Sequence, residues 1–281
     1  MKTWKKIVLG VSLISLFLGG GLVAWGYSQG GLTDLQNQTK SEQDYVKKEV
    51  KDFNKIDIKS SSYNVLIKNG DVDKATLSYY QKTKNPIDTS VKDGQLTIND
   101  SNSELDSTSN KHINFFGLKD LVRLSTLNEE VRNKTIVITL PKKQTIDFLK
   151  VDLATGNLDL SNSTIKQADI NLNVGDLTFT KMIVSNLKAN LDVGSVDSNH
   201  TLFTNSDLSI AMGDYSGENL IFNGHNKLDI TSGDIELALK DYTLNVQADS
   251  HSGEVDITNN LKISKDNTLT ITSDLGDITV E

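Results

Sequence analysis

Seven residues with oxygen-bearing side chains recur at nearly constant spacing in the second half of the chain: Asn157, Asp176, Ser195, Asp214, Asp234, Glu254 and Asp277. Stacked above one another they would form a column of carboxylates, and Ca²⁺ takes several oxygen ligands from closely placed acidic groups. Two residues further on stand Asp159, Asp197, Glu236 and Asp256. Carboxylates paired at a set distance are what glycoside hydrolysis uses, and a carboxylate or basic residue poised for proton transfer serves related polysaccharide chemistry. The four histidines lie at His112, His200, His225 and His251, the last within Ser250-His251-Ser252.

Each of these has a plainer origin. Every member of the first column directly follows a glycine, where Asp, Asn and Ser are expected simply as turn formers. The nine-residue calcium repeat with its doubled glycine is absent, so the column is compatible with calcium without indicating it. Residues 151–281 contain no arginine, and their acids fit a regular solvated face. The histidines share no phase in the repeat, and Ser250-His251-Ser252 lacks a nucleophile elbow. With no cysteine in the chain, no zinc or iron–sulfur site is suggested. The sequence therefore assigns no catalytic, cofactor-binding or metal-ligating residue; a non-enzymatic protein is expected, with a polysaccharide-active enzyme as the outlying alternative.

What positions these residues is a repeat. Gly156, Gly175, Gly194, Gly213, Gly233, Gly253 and Gly276 are each followed by a small polar or acidic residue and then an apolar one, at intervals of 19, 19, 19, 20, 20 and 23. Five residues before the glycines stand Val151, Ile170, Ala189, Leu208, Leu228, Ala248 and Ile271; two after them stand Leu158, Leu177, Val196, Tyr215, Ile235, Val255 and Ile278. Further apolar rows lie three before and four after, the latter interrupted by Ser198 and Gly217. Apolar residues at every second position on both sides of a turn read as strand, glycine corner, strand. A coil of about 20 residues cannot bury its own apolar row, but stacked coils merge the rows into one core. The expected fold is all-β, a right-handed parallel β-helix-like solenoid, with glycines at positive φ and their polar neighbours bonding local backbone. Ser198 and Gly217 point to looser packing or a groove at the third and fourth coils.

The first 33 residues set the compartment. Lys2, Lys5 and Lys6 precede an uncharged run in which Ile7–Trp25 is mostly apolar, long enough to span a bilayer as a helix. Lysines before it and none after it until Lys40 place the amino terminus in the cytoplasm. Leu22-Val23-Ala24 fits a cleavage site poorly, since leucine is large for the position three before the cut. The expected organisation is a cytoplasmic tip (1–6), a transmembrane signal-anchor (7–27), a juxtamembrane spacer (28–52), an irregular β part (53–150) with a mobile insertion at 99–134, and regular solenoid repeats (151–281). Residues 28–281 would then lie outside the cell, on a single-pass membrane protein. The absence of disulfides favours a bacterial surface protein, stabilised by its core alone.

Residues 151–281 carry 7 lysines against 20 acids, a net −13, whereas residues 34–150 carry 19 basic and 17 acidic side chains. An acidic rod repels nucleic acid at long range, so nucleic acid is excluded as a partner. Ser41 followed by Asp44 is expected to cap a short helix running to Val50. The Ile113–Leu124 segment, with Phe115, Phe116 and Arg123, reads as a cover for the open solenoid end or an exposed apolar patch. The chain ends inside a strand, Asp277 to Glu281, whose free edge is expected to pair with another chain in self-association.

The Phe53–Ile67 strand pair with Ser60-Ser61-Ser62, the Asp93-Gly94-Gln95-Leu96-Thr97-Ile98 turn and strand, the Ile136–Lys142 element and the Gly-Asp-apolar repeats together resemble the bacterial adhesin family of β-strand-repeat domains, which is similar to the head-GIN domains. The resemblance covers residues 53–281. It implies a right-handed solenoid at the cell surface, without known catalysis, in membrane-attached proteins of Gram-positive envelope-stress systems. No functional residue carries over, because the shared positions are turns and core. Two function classes follow: an adhesin-like binding or structural module touching an envelope polymer or a membrane-protein partner, and a sensory ectodomain acting through such a partner.

Overall fold

The computed structural model describes residues 43–82, 86–100 and 134–281. The chain divides into two units, Met1–Gln43 and Asp44–Glu281. The expected cytoplasmic tip and anchor, and the Ile113–Leu124 segment, lie outside the described residues. Among those residues there are 25 strands and no helix.

Each repeat makes one coil of parallel strands. In the Gly175 coil, Ala168–Val174 runs to the glycine corner, Leu177–Thr180 leaves it, and Ile183–Ser185 closes the circuit. From the Gly156 coil to the Gly233 coil, strands pair in parallel with their equivalents one repeat away: Ile170 lies between Val151 and Ala189, and Leu177 between Leu158 and Val196. The apolar rows read from sequence are thus vertical columns, and Leu158, Leu177, Val196 and Ile235 are all fully buried. Burying each such side chain contributes on the order of 1.5–3 kcal/mol before entropy is subtracted. Outward positions also fix the register. Lys150, Asp169, Lys188, Asp207 and Lys227 alternate in sign along one column. Exposed pairs of this kind stabilise little, but a slipped register would move each charge away from its opposite.

The stack does not follow chain order at either end. The Thr268–Leu275 strand lies between His225–Ser232 and Asn245–Ser252, and Ile278–Val280 lies between Ile235–Leu239 and Val255–Ile257. The last coil in sequence is therefore the penultimate one in space. The Asp277–Glu281 edge expected to be free has a neighbour on both sides. At the other end Lys55–Ser60 and Asn64–Gly70 form a coil beneath the Gly156 coil, and Gln95–Asn99 with Thr135–Pro141 forms the coil beneath that. The part expected to be irregular thus contains two coils in register. Asp88–Lys92 and Thr76–Lys82 then pair antiparallel and close this end.

Two local expectations are corrected. Gln43–Glu49 is a strand at the sheet edge, not the short helix expected from Ser41 and Asp44, and it reaches into the segment read as spacer. A helix that short cannot hold itself, whereas here Val46 packs on the core and Val50 N–H donates to Ala75 O at 2.9 Å. The insertion begins later than expected: Asn99 ends a strand, and buried Asp100 accepts from Ser60 Oγ at 2.9 Å and Ser61 N at 2.6 Å.

Glycine is required at the corner for two reasons. Gly194 has φ 150°, and a Cβ placed on it would stand 1.9 Å from the Gly175 carbonyl oxygen of the coil below. Changing Gly194 to Ala should therefore cost about 3 kcal/mol or more. Leu177→Asp should prevent folding at 37 °C, while Asp197→Ala should stay within about 0.5 kcal/mol of the parent. Urea denaturation followed by circular dichroism orders the three.

Candidate functional site

The oxygen column forms along the corner as the spacing predicts, but its bonds run between coils and not within the turn. Asn64 Oδ1 accepts from Asn157 N at 2.9 Å, Asn157 Oδ1 from Asp176 N at 3.0 Å, and Asp176 Oδ1 from Ser195 N at 3.0 Å. Ser195 Oγ accepts from Asp214 N at 3.4 Å, and Asp214 Oδ1 from Asp234 N at 2.9 Å. The ladder then passes from Asp234 to Asp277 at 2.9 Å and from Asp277 to Glu254 at 2.8 Å, following the spatial order. Each oxygen satisfies the corner N–H of the next coil, which accounts for Asp, Asn and Ser alike. Among the described residues no three His, Cys, Asp or Glu side chains come together in a geometry that would hold a metal ion.

Asp159, Asp197, Glu236 and Asp256 fall in one outward column, but never in adjacent coils. Thr178, Ser216 and Thr279 separate them, so the order is Asp159, Thr178, Asp197, Ser216, Glu236, Thr279, Asp256. Neighbouring carboxylates are two strand spacings, roughly 9.6 Å, apart. That exceeds the separation of about 5–5.5 Å used in retaining glycoside hydrolysis and lies at the upper edge of the inverting range. Partial burial raises the Asp159 carboxyl above its ordinary value, opposed by a hydrogen bond with Thr178 and reinforced by Asp176.

The described histidines are not brought together. His200 sits at a corner beside Asn199, His225 Nδ1 lies 3.0 Å from Thr268 Oγ1, and His251 is on the Asn245–Ser252 strand. Ser250 is partly buried on the inward face and donates to Gly276 O at 2.8 Å, while His251 points outward, so the two cannot act as a pair.

The third and fourth coils are filled, not grooved. Tyr215 is buried and its hydroxyl donates to Ser198 Oγ at 3.0 Å. Leu220 occupies the space over Gly217, Phe179 meets Phe203 edge-to-face with centroids 5.2 Å apart, and Phe203 stacks on Phe222 at 5.7 Å. A gap of about 10 Å³ remains beside Phe203, Tyr215 and Phe222. The cleft lies elsewhere, where the interval lengthens to 20: about 430 Å³ edged by Asn205, Asp207, His225, Lys227, Thr268 and Thr270. Asn226 lies at its base and is structural, accepting from Ser206 N and Oγ and donating to Asn223 O. A length change at a corner is the sequence signal that could have found it.

Two measurements check these roles. Asp234→Ala should cost about 1 kcal/mol and Asp234→Asn only a few tenths, because Asn keeps the accepting oxygen; millimolar Ca²⁺ should leave the melting temperature of the parent unchanged. Burial holds the Tyr215 hydroxyl far above its ordinary value, against the opposing Ser198 hydrogen bond. The neutral form is favoured in the fold, so this stabilisation is complete below about pH 10 and is lost as pH rises beyond it. Tyr215→Phe should cost about 1 kcal/mol at pH 7 and lose less stability than the parent between pH 10 and 11.5.

The comparison with curated proteins gave no match. Among solved structures the chain is similar to a candidate cell adhesion protein from Clostridium sporogenes, at 17% identity over 85% of this chain and 98% of that one, with a TM-score of 0.39. It is also similar to a candidate adhesin from Bacteroides fragilis, at 15% identity over 85% and 97% of the two chains, with a TM-score of 0.38. A candidate lipid-binding protein from Parabacteroides distasonis shares 11% identity over 84% and 96%, with a TM-score of 0.33. The family model described as Toastrack DUF4097 matches residues 53–281, the same span that carries the in-register strands. This chain therefore belongs to the Toastrack DUF4097 family.

Proposed function

We propose that the chain is a membrane-anchored rod of the bacterial cell envelope, displayed outside the cell, that binds or braces an envelope polymer or a membrane-protein partner in an adhesin-like role linked to envelope stress. The uncharged Ile7–Trp25 run behind three lysines supports the anchor and its orientation. The observation that carries the binding role is the outward face itself. Its polar rows repeat once per coil, at the roughly 4.8 Å of neighbouring strands, over the length of the stack. A periodic polar face suits an extended polymer better than a single small molecule, and its Asp159, Asp197, Glu236 and Asp256 carboxylates stand two coils apart, wider than retaining glycoside chemistry uses. The adhesin names of similar structures agree with this role.

The full chain expressed in a Gram-positive host should stay in the membrane pellet after alkaline carbonate washing and be digested by protease added to intact cells. Deleting residues 7–27 should release it from the pellet. Release of the intact chain by carbonate, or protection from external protease, would contradict the anchored reading. Co-sedimentation of the anchor-deleted chain with isolated cell wall tests binding, and no retention would contradict the polymer-binding role.

A further inference from the structure

The two ends of the stack are finished differently. At the amino-terminal end antiparallel strands fold back, and Phe53, Ala75, Tyr79 and Ile87 are buried there. At the other end the Gly253 coil is outermost, so among the described residues Asn245–Ser252 and Val255–Ile257 each have a neighbour on one side only. Its inward positions Val246, Ala248 and Ile257 are only partly buried, and Val255 is 41% exposed. Their partners in the coil beneath, Leu269, Ile271, Val280 and Ile278, are at most 1% exposed. Tyr242 and Leu261, also partly buried, pack against the core beside them.

Backbone donors are open there too. In the inner coils the glycine N–H and the N–H two residues on donate to the next coil: Gly233 to Leu275 O and Ile235 to Asp277 O at 2.9 Å, then Gly276 to Ser252 O at 3.1 Å and Ile278 to Glu254 O at 2.8 Å. The equivalents in the outermost coil are Gly253 and Val255, and among the described residues no coil follows. Around these donors stand Asp249, Glu254 and Asp256. Neither edge strand contains Lys or Arg, the residues that commonly block such edges. Lys240 and Lys262 each lie five residues from an edge strand, and Lys262 bridges to Thr243, ahead of the Asn245–Ser252 strand.

We propose that this end is an acceptor for an extended segment of a partner protein, added as a further strand. The segment would carry apolar residues at alternate positions over Val246, Ala248, Val255 and Ile257, and Lys or Arg at the intervening outward positions. Charge selects this occupant over the same end of a second copy, because two such ends would set Asp249, Glu254 and Asp256 against their like. The inference is independent of membrane anchoring.

A fluorescent peptide of alternating Val and Lys, and its Val and Glu counterpart, titrated against the full chain by anisotropy, test it. The Lys peptide should bind at least tenfold more tightly than the Glu peptide. Val255→Pro, which removes an end-facing N–H while leaving Ile278 N–H its Glu254 acceptor, should weaken binding at least tenfold. Asp249→Lys with Asp256→Lys should reverse the preference, and this surface variant keeps the test decisive if the proline variant melts early. Equal binding of both peptides, or Lys-peptide binding indifferent to both variants, would overturn the proposal. So would light scattering that shows the chain dimerising through this end, with the dimer lost in Val255→Pro.

Discussion

At every inner corner the backbone of one coil presses against the backbone of the next so closely that no side chain fits between them. A Cβ on Gly175, Gly194, Gly213, Gly233, Gly253 or Gly276 would come within 1.9 to 2.1 Å of a glycine carbonyl oxygen in the adjoining coil. Most of these residues also sit at φ near 145°, a region that side chains disfavour. This contact sets the vertical alignment of the coils. Once it is fixed, Leu158, Leu177, Val196 and Ile235 must lie in one column, and the residue after each glycine must lie beside the next coil's N–H. Core, corner ladder and outward polar rows all follow from the same close approach.

The corner does not decide which coil goes where, because every coil presents the same one. Composition decides. The Gly276 coil offers Leu269, Ile271, Ile278 and Val280 to the core, and the Gly253 coil offers Val246, Ala248, Val255 and Ile257, a smaller set. Placing the larger set inside and the smaller one at the open end buries more apolar surface. Charge agrees: the observed order keeps Thr279 between Glu236 and Asp256, whereas chain order would put the two acids side by side. The exchange is also why the last interval is 23, since the chain must cross the outermost coil to reach its place beneath it.

The regular rows were legible because a two-residue period flanking a glycine has only one reading in stacked strands. The coil order at the ends was not, since parallel stacking is blind to which equivalent coil comes next. The turn residues were recognised as backbone partners, but the partner proved to be one coil away, a long-range choice that local sequence does not encode. The same holds at Ser198 and Gly217, where the compensating groups are the Tyr215 hydroxyl and the Leu220 side chain. At Gln43–Glu49, pairing at a sheet edge outweighs a local helix signal. The acidic sets looked like candidate chemistry because sequence shows their spacing but not the Thr and Ser that separate one of them, nor the N–H groups that occupy the other.

The order of the last coils gives the most direct test of stacking by glycine corner. The chain has no cysteine, so pairs can be introduced without interference. Glu236 and Thr279 are register partners, which places their Cα atoms about 4.8 Å apart, within the span a disulfide bridges; Glu236 and Asp256 are two coils, roughly 9.6 Å, apart. Under mild oxidation Glu236→Cys with Thr279→Cys should form an intramolecular disulfide, and Glu236→Cys with Asp256→Cys should remain reduced. The opposite pattern would place the coils in chain order and contradict this account of the fold.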